Sequence, residues 1–161
     1  KRLASLKDTT EYSELEQLHK TGIAPIKLED LSGYVKGRSN IISKIRELLE
    51  KAEKEILICT SVSDFENKSR VFLPSLEKLH SNNIKIKIAL AGDTDRIKRL
   101  SSKYNLKAKN IENDGRFFIV DKKETFFMIN KEGSDEEIGI WLNSPYFSNT
   151  FATMFDIHLK K

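Results

Sequence analysis

Between residues 39 and 104 the apolar side chains change their spacing repeatedly, and this alternation restricts the chain to an α/β architecture. Ile41, Ile42, Ile45, Leu48, Leu49 and Ala52 recur on one helical face, while Lys44, Arg46, Glu47, Glu50, Lys51 and Glu53 take the other. Ser39 stands where a helix N-cap is expected. The unbroken run Ile56-Leu57-Ile58-Cys59 then reads as a strand buried on both faces. Residues 68–81 return to helical spacing through Phe72, Leu73, Leu76 and Leu79. Ile84, Ile86, Ile88 and Leu90 alternate as a strand, and residues 94–104 are again helical, opened by Asp93 or Thr94. With residues 106–111 as a further short strand, the order is βαβαβ, which requires parallel strands joined by crossovers.

The second half is patterned differently. Residues 116–121 and 125–130 are two strands separated only by Lys122-Lys123-Glu124, a connection too short for a crossover. Residues 138–142 form another strand, and Pro145 suits the first turn of a closing helix that buries Phe147, Phe151, Met154 and Phe155. The expected fold class is therefore α/β, a mixed, largely parallel sheet with flanking helices. Residues 22–38, carrying Gly22, Pro25, Gly33 and Gly37, read as irregular. Upstream, Leu3, Leu6, Tyr12, Leu15 and Leu18 give a helix over 3–20 with a phase slip near Thr9 and Thr10. This divides the chain into a helical linker or dimerisation segment, 1–21, and a domain, 22–161.

Composition narrows the class. The 161 residues, 32% of them charged, suit one globular domain with a charged surface. No apolar run approaches the ~18 residues of a membrane span, so no membrane partner is expected. The N-terminal residues lack the apolar core of a signal peptide. Cys59 is the single cysteine, which excludes an internal disulfide and fits a reducing cytoplasm. Because the chain begins with Lys1 and not Met, we expect a piece of a larger protein whose missing part lies upstream. The charge is unevenly spread. Residues 84–109 hold eight basic residues against Asp93 and Asp95, although the net charge of the whole chain is only +4. Such a stretch either attracts phosphates or is simply a solvated face.

In parallel α/β sheets, ligands bind beyond the carboxyl ends of the strands. Those ends are polar here: Thr60-Ser61-Val62-Ser63-Asp64, Ala91-Gly92-Asp93-Thr94-Asp95, and Asn143-Ser144 before the last helix. The same residues are also ordinary helix caps. The histidines His19, His80 and His158 lack metal-ligand spacing, so no metal and no cofactor are expected. Trp141 is either a core residue or a platform for stacking a sugar. Gly133-Ser134-Asp135-Glu136-Glu137 reads as an exposed acidic turn.

The stretch Asp114-Gly115-Arg116-Phe117-Phe118-Ile119-Val120-Asp121 is the most informative. Its spacing resembles the His-x-Lys-x4-Asp signature of phospholipase D-like enzymes, with Asp114 at the His position, Arg116 at the Lys position and Asp121 at the Asp. In that superfamily the His attacks phosphorus and the Lys holds the phosphate oxygens. A carboxylate at the nucleophile position would repel a phosphodiester, so no catalytic residue is assigned. Arg116 retains a planar fork that either grips an oxyanion or forms a structural salt bridge.

A closer resemblance is to TrmB-type archaeal transcriptional regulators. It is carried by Tyr34-Val35-Lys36-Gly37-Arg38-Ser39-Asn40-Ile41-Ile42, the helix-to-strand passage Leu48 to Ile58, the Gly115-Arg116 to Asp121 strand, and Ile140-Trp141-Leu142-Asn143-Ser144-Pro145 with the aromatic helix after it. The resemblance implies a non-catalytic phospholipase D-like domain that senses an effector or pairs with a second copy. It also implies a DNA-binding winged helix upstream of this chain and a linker helix over 3–20. The sugar site of longer members lies in a further C-terminal β-rich domain, so the resemblance brings no sugar site into these residues. Ser61, Asp93, Asp114, Arg116, Asp121, Asn143 and Ser144 are the candidate contacts for a small anionic or sugar-like effector. Replacing Arg116 with Ala is expected to weaken an anionic effector without unfolding the domain.

Overall fold

The computed structural model describes residues 31–159; the linker expected over 1–21 lies outside them. The element order is β1 (Ser32–Lys36), α1 (Arg38–Lys51), β2 (Glu55–Ser61), α2 (Val62–Asn67), α3 (Ser69–Ser81), β3 (Lys85–Ala91), α4 (Thr94–Lys103), β4 (Ala108–Asn110), β5 (Phe117–Val120), β6 (Glu124–Met128), β7 (Ile138–Asn143) and α5 (Pro145–Leu159). All the strands lie in one sheet, ordered β1-β7-β6-β5-β2-β3-β4.

The sheet is mixed, but its parallel share is smaller than the strand spacing suggests. Among the described strands only β2–β3 and β3–β4 pair parallel; β1–β7, β7–β6, β6–β5 and β5–β2 are antiparallel. The βαβαβ half supplies the parallel strands. The later strands arrive through short connections and can only fold back. Between β5 and β6, Asp121 and Lys122 both adopt φ of 54°, and Lys123 N–H donates to the Val120 carbonyl at 2.9 Å. Two successive left-handed residues match the right-handed twist of a hairpin. β1, an edge strand, falls inside the segment expected to be irregular. Gly37, at φ 92°, ends it and stands at the N-cap of α1, where Ser39 was expected.

The core lies on both faces of the sheet. On one, α1, α2, α3 and α4 cover Ile56, Ile58, Leu90, Phe118, Val120 and Phe126. On the other, α5 covers Leu57, Cys59, Ala89, Phe117 and Ile119 through Ala152 and Phe155. The alternation along β2 explains its continuous apolar run: both pleats are buried. Phe65 and Phe72 stack at 4.9 Å, and Phe72 reaches Phe118 at 5.9 Å, joining the helical layer to the sheet. On the other face, Phe117 contacts Phe151 at 4.6 Å and Phe155 at 5.0 Å. The hydroxyls of Thr125 and Ser148, both buried, pair at 2.7 Å and tie α5 to β6.

Candidate functional site

The antiparallel half of the sheet divides the seven candidate residues between two ends. Ser61, Asp93, Asp114 and Arg116 gather where β2 and β3 end and β5 begins. Asp121, Asn143 and Ser144 sit at the opposite end, about 20 Å away along β2. The rule that sites form at carboxyl ends holds for parallel strands. β5 and β7 run against β2, so their carboxyl ends point away from it.

At the far end the residues have structural partners. The Asp121 carboxylate accepts from the backbone N–H groups of Glu53, Lys54 and Glu55, at 2.7–3.2 Å, and fixes the passage from α1 into β2. Ser144 Oγ accepts from Phe147 N–H at 3.2 Å and caps α5. Asn143 is paired opposite Glu124 in the sheet. Trp141 Nε1–H donates to Glu124 at 3.0 Å, and Lys44 Nζ lies 4.5 Å from the centre of the Trp141 rings, so Trp141 already has neighbours on its edge and face.

At the near end a buried cluster of four charges forms. Asp64, Lys68 and Arg116 are each at most 5% exposed. Thr60 Oγ1 donates to Asp64 at 2.7 Å, and Lys68 Nζ donates to the other Asp64 oxygen at 2.6 Å. Arg116 Nη1 lies 3.7 Å from Asp64 and 3.6 Å from Glu137, and Lys68 Nζ lies 3.7 Å from Glu137. Arg116 Nη2 donates to the Asn130 carbonyl at 3.0 Å. Two cations and two carboxylates cancel, which is the condition for keeping charge inside a protein. The fork at the signature Lys position is therefore largely occupied by the protein itself. Nη1 is buried without a hydrogen bond, as is Glu137 Oε2.

Sequence reasoning missed Lys68 and Glu137 as members of this cluster. Lys68 follows Asp64 by four residues, a helical spacing that marks a possible ion pair. Glu137 gave no such signal. The turn that contains it is exposed at Glu132, Asp135 and Glu136, but Glu137 turns inward. Asn130 holds that turn, donating from Nδ2 to the Glu136 carbonyl and accepting at Oδ1 from Ile138 N–H.

Above the cluster lies a cleft of about 200 Å³ lined by Ser61, Ala91, Asn113, Asp114, Arg116, Lys131 and Glu132. Ser61 is the junction of this wall. It caps α2 by accepting from Asp64 N–H at 2.9 Å, and its hydroxyl donates to Glu132 at 2.7 Å. Asp114 is exposed. Asp93 caps α4 by accepting from Asp95 N–H at 3.2 Å and does not line the cleft. Cys59 sits beneath, its Sγ–H 3.5 Å from the Gly115 carbonyl oxygen, and burial pushes its thiol up to about 12. It offers no thiolate for nucleophilic chemistry near neutral pH. Among the described residues no group of three His, Cys, Asp or Glu side chains could hold a metal ion, and no helix is long and apolar enough to cross a membrane.

The same fold recurs in solved structures. The chain is similar to the structure of TrmBL2, described as an archaeal chromatin protein with a novel mode of DNA binding. The match has 18% identity and a TM-score of 0.65, and covers 99% of this chain and 63% of that one. It is also similar to Nuc, a phospholipase D family member from Salmonella typhimurium (12% identity, TM-score 0.58, 79% of this chain and 93% of that one). NucT from Helicobacter pylori matches at 10% identity and a TM-score of 0.61, over 80% of this chain and 95% of that one. At these identities the likeness establishes the fold, which is phospholipase D-like. The chain spans less than two thirds of TrmBL2. No curated protein matches it by sequence. The family model "Transcriptional regulator TrmB, EBD N-terminal subdomain" matches residues 33–159, and the chain belongs to that family.

Proposed function

We propose that this domain is a regulatory module of a TrmB-type archaeal transcription factor, acting in the cytoplasm by sensing an effector and by pairing with a second copy, without catalysis. Its DNA-binding winged helix would lie upstream of Lys1, reached through the linker over 1–21. The observation that carries this proposal is the fate of the phospholipase D signature. Asp114 supplies a carboxylate where the nucleophile would stand, and the Arg116 charge is balanced internally by Asp64 and Glu137. What remains is a polar cleft beside a charge cluster, a place to bind rather than to react.

The cleft also speaks to ligand class. Asp114 and Glu132 stand on its walls against Lys131, and Arg116 is already paired. An anion would meet a slightly negative mouth, so a neutral, hydroxyl-rich effector is favoured over an anionic one. Binding would act by favouring one of two arrangements of the dimer. The discriminating experiment is a thermal-shift panel of neutral polyols and sugars against sugar phosphates, combined with sedimentation velocity. A polyol should raise the melting temperature of the chain, and the Glu132→Ala variant should abolish that rise. Stabilisation only by phosphorylated ligands would contradict the assigned class, and a monomer at every concentration would contradict the pairing.

A second function, a ligand-free interaction module, is favoured by one observation. Tyr34, Ile129, Tyr146, Met154 and Ile157 are all more than half exposed. Tight dimerisation with no response to any polyol would select it.

A further inference from the structure

The basic stretch over 84–109 does not form one surface. Lys98 and Arg99 lie on α4, whose Ile97 and Leu100 pack on the face shared with α1 and α3. Lys85 and Lys87 on β3, and Lys107 and Lys109 at β4, line the opposite face beside the end of α5. Together with Asp156 and Leu159 they border a groove of about 450 Å³.

The four lysines are not equivalent. Lys87 is the half-buried one: its Nζ is 2.8 Å from Asp156 and 2.9 Å from Glu55. Burial opposes its charge, but the hydrogen bonds and charges of Asp156 and Glu55 outweigh that and raise its pKa above the ordinary value of 10.5. Lys85, Lys107 and Lys109 are exposed, and among the described residues no carboxylate pairs with them. Continuing the β3–β4 register puts Lys107 beside Lys87, with Lys109 opposite Ala89. Measured between backbones, Lys107 and Lys85 therefore flank the paired Lys87 at about 5–7 Å across and along the strands, with Lys109 on the diagonal at about 8 Å. Like charges this close repel, and an added anion relieves the repulsion.

Edge protection is the ordinary reason for lysines on a strand such as β4. It accounts for Lys107 and Lys109. At Lys85 β3 pairs with β2 alone, since its pairing with β4 covers Ile88–Leu90, so what edge protection leaves unexplained is the gathering of three unpaired lysines about one groove.

We propose that the groove between the β3–β4 edge and the end of α5 is a contact site for the phosphodiester backbone of duplex DNA. The inference rests on the chain being part of a DNA-bound regulator, where this face would touch DNA beyond the operator contacts. The groove has no aromatic platform for stacking unpaired bases, since its walls are lysine, isoleucine, leucine and aspartate. Binding should therefore be electrostatic and indifferent to sequence.

The test is fluorescence anisotropy with the 161-residue chain and two unrelated 20-base-pair duplexes. Both should bind alike. Three lysine–phosphate contacts give a slope of log K against log salt of about −2.7, so affinity should fall about 40-fold between 50 and 200 mM salt. Lys107→Glu with Lys109→Glu should weaken binding at least tenfold and flatten the slope toward about −1. Lys98→Glu with Arg99→Glu, from the same stretch but the other face, should leave the slope unchanged. If the charge-reversed pair fails to fold, Lys107→Gln with Lys109→Gln should show the same flattening. No binding at 50 mM salt, equal loss in the two pairs, or tighter binding of single-stranded RNA would each overturn the proposal. None of these would alter the expected response of the cleft to a polyol, so the two ideas fail separately.

Discussion

Arg116 shows how a residue can keep its place in a signature while changing its job. It is 4% exposed, and its removal would leave Asp64 and Glu137 with Lys68 as their only buried cation. Breaking a buried pair from one side costs about 3–5 kcal/mol. Arg116→Ala should therefore lower stability by about 3 kcal/mol or more, measured by urea unfolding. A change below about 1 kcal/mol would show that the cluster contributes little. The burial of Arg116 argues against the sequence-based expectation that it can be removed without cost to the fold, and the unfolding measurement decides between them. The spacing of Asp114, Arg116 and Asp121 was legible because it is local. The partners were not, because Glu137 comes from a turn whose other acids face solvent. Asp121 was legible as an acid at a strand end, but its three backbone N–H partners come from Glu53 to Glu55, far away in sequence.

Among the elements, β7 shows how tightly the sheet and α1 are packed. A Cβ on Gly139 would lie 2.4 Å from Phe126 Cζ and 3.2 Å from Ile41 Cδ1, and both side chains are fully buried. Ala is stiffer in the unfolded chain, a gain of about 0.4–1 kcal/mol, but overpacking costs about 1–3 kcal/mol and should win. Gly139→Ala should thus destabilise the domain by about 1–2 kcal/mol. On the neighbouring strand, Gly33→Ala meets Trp141 at an ordinary 3.8 Å and should be near neutral or stabilising. Chemical denaturation of the two variants side by side checks the contrast; equal effects would refute it. At this scale the sequence was most legible where burial imposes a period: α1, β2, α3 and β3 stand where the apolar spacing put them, while α5 stands there but leaves Phe147 and Met154 exposed and buries Ser148 and Ala152 with Phe155. β1 escaped notice because an edge strand with Gly33 and the exposed Tyr34 carries little alternation. The short α2 was hidden among polar residues that served equally well as a strand end.

For the whole molecule, two kinds of sheet in one layer explain both the successes and the misplacements. The parallel half was readable from its crossovers. The antiparallel half reversed the strand ends, and so moved Asp121, Asn143 and Ser144 away from Ser61 and Arg116. The basic stretch, continuous in sequence, was split by the sheet into two faces with different neighbours. The carboxylate of Asp114 and the internally balanced Arg116 carry the proposal that this phospholipase D-like fold works here without catalysis. The most direct measurement is hydrolysis of a generic phosphodiester such as bis-p-nitrophenyl phosphate by the purified chain, with Asp114→Ala as the paired variant. The expected result is no hydrolysis above background from either. Turnover that disappears in Asp114→Ala would contradict a non-catalytic regulatory domain.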